Sequence, residues 1–341
     1  MKTVEVQFIG ALQFVARVLL LATLLLVGTH TDSHAAESIP FSVGEGSPAN
    51  TYLAIWMAEE AGLYEVQGLE IHFVQMNGGI ETAPQLEAGN IQLMHIGMSS
   101  VVRANSMGSD LRVIGSLSNI IRQTMFLAPG VRSAEDLHGR AIGISSAGSE
   151  SDSTTTLVLE RLGLTRGDVQ IREIGRNRFD AVRNGIVAAT MLGEPSRSEA
   201  LAFGLTPIVD LYAERIPWLF SGLTVDRAYL GAHRDLVLRF MRATIEGNYI
   251  AITNEVGAKN VLEQRLSLTE GTIVEASYNN FKAETPINAE IDPVGAENIV
   301  AALASMGASD NIDDYIDLSI TEELRAEGFF VAMEEKYGMR F

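Results

Sequence analysis

The run 58–100, AEEAGLYEVQGLEIHFVQMNGGIETAPQLEAGNIQLMHIGMSS, reads as helix, strand, glycine turn, helix, strand and the opening of one more helix. That order describes an α/β layer whose loops gather at the carboxyl ends of its strands, the edge at which open α/β sheets bind ligands. Leu69 to Gln75 alternates as a strand does, and Asn77-Gly78-Gly79 supplies the turn. A helix over 80–88 ends at Gly89, a strand covers 91–96, and Ser99 or Ser100 is expected to cap the helix after it.

Working outward, 39–43 reads as a first strand, followed by the loop GEGSPAN and a helix over 51–63 with Asn50 as its N-cap. Strands are expected at 111–117 and 123–128, the latter closed by Pro129-Gly130. The pattern then restarts: strand 140–145, polar turn 148–152, helix 154–162, and strands at 169–174, 187–191 and 207–210. Beyond Asp226 the chain is nearly all helical, with long apolar periodicity over 234–253. We expect two α/β lobes, the first from 36–122 and 223–341 and the second from 123–222, with the late helices wrapping the first. The chain would cross between lobes near 119–123 and 220–225, and a double crossing makes a hinge.

Composition narrows the function classes. With 341 residues, 47% of them hydrophobic, the chain suits two lobes with sizeable cores. A net charge of -18 repels phosphate backbones and anionic membrane surfaces, which speaks against nucleic acid as a partner. The absence of cysteine excludes disulfides, thiolate metal sites, cysteine nucleophiles and a lipid-modified cysteine. The 6 histidines form no HExxH or other close ligand pair, so neither metal nor organic cofactor is indicated. Lys2 and Arg17 flank the apolar stretch 18–28, VLLLATLLLVG, about as long as a signal-peptide core of roughly 7–15 residues. Ser33 and Ala35 then supply small residues for cleavage before Ala36. A soluble periplasmic protein that is not a lipoprotein is expected, the alternative being retention of the apolar run as an anchor.

Several helix starts are rich in small polar residues: 47–51, 77–79, 98–100 and 145–153. Free amides and the helix dipole suit such ends to a carboxylate, sulfonate or phosphate-like group. Simple helix capping explains any one of them, but the set falls at matching strand ends in both lobes. Glu194, in Gly193-Glu194-Pro195, should lie at the same edge, where a carboxylate holds an amine or hydroxyl. Arg176 and Arg178 sit where a strand meets a helix, within reach of an anion or simply on the surface. Trp56 and His95 read as core, and Tyr52 and Trp218 are stacking candidates.

The segments AEEAGLYEVQGLEI, LEAGNIQLMHIG, SAEDLHGRAIGISSAGSESD, LERLGL, RFDAVRNG, MLGEP and IDDYIDLSI, in this order, resemble the periplasmic substrate-binding proteins of nitrate, sulfonate, taurine and thiamine-precursor ABC importers, the NMT1/THI5-like group. The resemblance runs over about 39–329. It implies a type II periplasmic binding protein fold, a monomer with two α/β lobes on a two-strand hinge. It further implies capture of a small organic anion or zwitterion and delivery to a membrane permease. Ligand contacts carried over by the resemblance are Ser47, Asn50, Asn77, Gly78, Ser99, Ser149, Asp152 and Glu194. The chain departs from the group at Thr156, where many relatives have an arginine.

The rival readings are a same-fold biosynthetic enzyme and a periplasmic sensor module. GISSAG, 143–148, has one residue too many for G-x-S-x-G, and His138 falls at the far end of its strand. The fold's pyrimidine-synthesising and desulfinating enzymes use cysteine motifs that this chain lacks. A related menaquinone-pathway enzyme fold is the remaining alternative, for which an export signal would be odd, and no enzymatic activity is expected. A sensor would use the same cleft, and only its receptor would differ.

Overall fold

The computed structural model describes residues 38–47, 49–76 and 82–339. The expected signal segment and its cleavage site, and the Asn77-Gly78-Gly79 turn, lie outside them. Among the described residues no helix is long and apolar enough to cross a membrane.

Strands β1 (Ile39–Glu45), β2 (Leu69–Gln75), β3 (Leu93–Ile96) and β4 (Leu111–Ile120) lie in one five-stranded sheet. β5 (Thr124–Leu127), β6 (Ala141–Ile144), β7 (Gln170–Glu173), β8 (Ala189–Leu192) and β9 (Thr206–Asp210) form a second, and β10 (Pro217–Asp226) returns to the first. The orders are β2-β1-β3-β10-β4 and β7-β6-β8-β5-β9. β1 runs parallel to β2 from Ile39 opposite Leu69 to Glu45 opposite Gln75, and parallel to β3. β6 is likewise parallel to β7 and β8. In each sheet the next strand is antiparallel: β10 in the first and β5 in the second. Each is the first strand after a passage between sheets, so the two halves share one plan.

Those passages are 121–123 and 211–216. They hold each other through backbone bonds from Ile121 to Ile216 (3.1 Å) and from Tyr212 to Gln123 (3.1 Å). The second passage ends earlier than expected. β10 pairs with β4 from Pro217 onward, so the chain is already in the first sheet before the boundary anticipated between Gly222 and Leu223.

Helix α1 (Leu53–Glu60) follows β1, and α2 (Met98–Ser106) follows β3. In the second half α3 (Glu150–Arg161) follows β6 and α4 (Arg178–Arg183) follows β7. The long periodic run forms α5 (Arg234–Thr253), whose apolar face buries Val237, Phe240, Met241 and Ile245. It crosses α1 so closely that a Cβ on Gly247 would stand 2.2 Å from the Ala54 carbonyl oxygen, so only glycine fits there. Phe240 stacks on Phe41 of β1 and on Tyr64, at ring separations of 5.1 and 5.3 Å, each pair adding about 0.5–1.5 kcal/mol beyond burial. Helices α6 (Gly271–Glu284) and α7 (Pro293–Leu303) complete the cover. The late chain also bonds directly to β4: the Val113 amide donates to Tyr315 and the Ser116 amide to Ala289, both at 2.8 Å. The helical wrap thus lies on the first sheet.

Candidate functional site

The carboxyl ends of β1, β3, β6, β7 and β8 converge on one cavity of about 170 Å³ between the two sheets, against the roughly 10–15 Å³ one water needs. The first half contributes Ser47, Tyr52 and His95, and the second contributes Ser149, Arg178 and Glu194. The halves touch across it. Arg178 Nη1 donates to Ser47 Oγ at 3.4 Å, and Arg176 donates to the Gln75 side chain.

Helix starts do reach this region, but the protein's own carboxylates occupy their amides. At α2 the N-cap is Gly97 with no side-chain cap; Ser99 lies inside the first turn and does not cap it. Glu150, 51 residues away at the start of α3, accepts the Ser99 amide at 2.8 Å, the Ser99 hydroxyl at 2.9 Å and Trp218 Nε1 at 2.7 Å. All three donors are uncharged, and burial pushes the Glu150 carboxyl up to about 7. At α3 the anticipated polar turn is instead the first helical turn, capped by Ser149, whose hydroxyl accepts from the Asp152 amide. Asp152 turns back to accept the Gly148 amide at 2.8 Å and pairs with Arg166 at 2.5 Å.

Charge is arranged unevenly around the cavity. Arg176 and Arg178 line it and form no ion pair with a carboxylate among the described residues. Arg178 is fixed by the carbonyls of Met191 (3.2 Å) and Gly175 (3.3 Å), and burial lowers its guanidinium to about 10, which leaves it charged at neutral pH. Glu194 lines the cavity too. It lies 3.5 Å from Arg197 and accepts the Ser198 amide at 3.3 Å; burial holds its carboxyl above the usual range. His95 is only 5% exposed. Its Nε2 bonds Ser221 Oγ, its ring packs edge-on to Tyr52 at 4.2 Å, and its Nδ1 has no partner among the described residues. Burial, with Arg122 nearby, lowers His95 to about 3, so the ring is neutral. A neutral imidazole with one free nitrogen can donate or accept, depending on its tautomer.

Of the residues singled out from sequence, Ser47, Ser149 and Glu194 line this cavity. Ser99 and Asp152 instead border a separate cavity with Arg103 and Arg166. Asn50 is not an N-cap: it is the first residue of a short 3-10 turn, 2% exposed, with Nδ2 donating to the Ser277 carbonyl (2.7 Å) and to Asn280 (2.9 Å). It ties the first loop to α6 and is not among the residues that line this cavity. Asn77 and Gly78 lie outside the described residues. His95, which reads as core from sequence, is buried but borders the cavity, and Glu150 carries no sequence signal of its own. The mark of Glu150 is Gly97, where a Cβ would stand 2.1 Å from the Glu150 carboxylate, a pairing that no local pattern reveals. Trp56 is core, with Nε1 donating to Glu45, and Trp218 is a buried donor to Glu150.

Known proteins share this construction. The riboflavin-binding protein RibY of Chloroflexus aurantiacus is 23% identical over 270 residues, 77% of this chain and 74% of its own. A solved structure from Bordetella bronchiseptica RB50, 18% identical, covers 89% of this chain and 99% of that one, with a TM-score of 0.74. The alkanesulfonate-binding protein SsuA from Xanthomonas axonopodis pv. citri, solved bound to MOPS, is 19% identical and covers 80% of this chain and 94% of its own, with a TM-score of 0.66. The two mixed sheets are those of the periplasmic binding protein fold. The family model described as NMT1/THI5-like matches residues 50–258, more than half of the sequence, and the chain belongs to that family.

Proposed function

We propose that this protein is the solute-binding component of an ABC importer. It would be exported to the periplasm, act as a monomer without enzymatic activity, and hold one small organic molecule between its two halves for delivery to a membrane permease. The observation that carries this reading is the cavity at the strand ends, walled by both sheets and joined behind by the two passages. Such a cleft closes on a solute only as far as the solute binds the closed state better than the open one. Arg176 and Arg178 favour an acidic group on the solute, and the free nitrogen of His95 favours a polar group beside it. A small organic anion or zwitterion meets both demands. The lining rings of Tyr52, Phe179 and Phe220, with the riboflavin-binding relative, support a second solute class, a flat heteroaromatic such as a flavin.

The test is thermal shift against ethanesulfonate, taurine, nitrate, aromatic carboxylates, aminopyrimidines and riboflavin, since binding to the folded state raises its apparent stability. At least one is expected to raise the melting temperature in the wild type, with a tenfold or greater loss of affinity in Arg178→Ala or His95→Ala. No shift with any of them, combined with turnover of one, would overturn the transport reading.

A further inference from the structure

We propose that Glu150 is a specificity-determining residue, a built-in carboxyl group that occupies the amide end of α2 across the cavity and denies it to acidic groups of a solute. The inference rests on the cleft-binding reading and deepens it by assigning the two ends of the cavity opposite preferences.

Three geometric facts point the same way. Glu150 borders the solute cavity, yet both its oxygens are engaged by donors of the opposite half: Oε1 by the Ser99 amide, Oε2 by the Ser99 hydroxyl and the Trp218 indole. Those donors form the kind of cradle that a sulfonate or carboxylate seeks at a helix start. The cradle is shaped for Glu150 itself, because any residue but glycine at 97 would collide with the carboxylate. The other charged groups facing the cavity are Arg176, Arg178 and Glu194, and none of them makes an ion pair with Glu150. A solute that brought its acid to this end would find these donors already taken by the Glu150 carboxyl, which repels it fully once ionised, above about pH 7. Its acidic group is therefore directed to Arg176 and Arg178, and the Glu150 end accepts neutral or donor groups. His95, buried and neutral, lines the same cavity.

The experiment uses ethanesulfonate and inorganic sulfate as probes, titrated calorimetrically at pH 8, where Glu150 is mostly ionised in the wild type, into wild type, Glu150→Ala and Glu150→Gln. Trp218 is read by fluorescence in a Trp56→Phe background, where it is the remaining one of the chain's 2 tryptophans. Glu150→Ala should bind ethanesulfonate at least tenfold more tightly than wild type and shift Trp218 emission on binding. Glu150→Gln keeps the size and an acceptor oxygen for Ser99, so it tests the exclusion even if the alanine variant folds poorly; a gain of about threefold is expected. Equal affinities in wild type and both variants would overturn the proposal, as would a gain that leaves Trp218 unmoved. The wild-type solute panel judges the cleft reading by itself, so a panel hit without a gain in the variants sinks only the role of Glu150.

Discussion

The helices α2 and α3 both begin at the edge of the central cavity, and they satisfy their first amides in opposite ways. At α3 everything is local: Ser149 caps, Asp152 turns back to Gly148, and the hydroxyls of Ser145, Ser149 and Ser151 bond one another at 2.8–2.9 Å. At α2 nothing local is offered, since Gly97 caps without a side chain and Glu150 arrives from the other half of the molecule. A locally completed helix start is a folding device, indifferent to how the halves are arranged. One completed from across the cavity is also a clasp between halves, so it couples the site to the fold.

Substitution at Gly97 should break this difference most strongly. Adding a Cβ there forces Glu150 out of its cradle, because the methyl group would fall far inside the contact distance of the carboxylate. Gly97→Ala is expected to cost about 2–3 kcal/mol in urea unfolding, the range for overpacking combined with unsatisfied buried donors. Gly231→Ala, on an exposed helix with open space around it, is the control, and should change stability by less than about 1 kcal/mol, in the favourable direction. Similar losses in both would mean that Glu150 is not clasped.

A second expected effect lies in pH. Burial raises the Glu150 carboxyl from its ordinary 4.5 to about 7 in the folded protein. The folded state therefore holds this proton more tightly than the unfolded chain. The associated stability is full below about 4.5 and is lost as pH rises through about 7. Urea midpoints at pH 5, 6, 7 and 8 should fall in wild type relative to Glu150→Gln over that window. Glu194 and Glu59 are also raised by burial and add slopes of the same sign, but they are common to both proteins and cancel in the difference. Parallel profiles would remove Glu150 from the buried position.

The same contrast separates what the sequence declares from what it conceals. The strand Leu69–Gln75 and the helix Arg234–Thr253 are legible to the residue, because alternation and helical periodicity are local signals of the face each element buries. The cavity's place at the strand ends follows from the order of elements alone. Ser149 and Glu194 are legible because they closely follow strands. Asn50 misleads, since a capping residue type at a loop end looks the same whether it caps its own helix or bonds α6 some 230 residues on. Ser99 misleads for a related reason: its hydroxyl fits a cap, but the helix is capped two residues sooner, at Gly97. Glu150 is hidden within a run of serines that reads as a turn. Its function depends on Gly97 and Trp218, and the three are brought together only by the meeting of the sheets.

The smallest effect sharpens the comparison from the local side. Ser149→Ala removes the α3 cap hydroxyl, but the Ser145 amide keeps its 2.8 Å bond to Ser151 Oγ, and Asp152 keeps the Gly148 amide. The cost should be close to 1 kcal/mol, roughly that of an ordinary N-cap. It should show no dependence on pH between 5 and 8, because no charged group changes partner. It should also leave Trp218 emission unchanged, since the clasp to Glu150 does not pass through Ser149. A pH-dependent loss, or a Trp218 shift comparable to that of Glu150→Ala, would mean that the two helix starts form one network and that the division between a local cap and a clasp across the cavity is wrong.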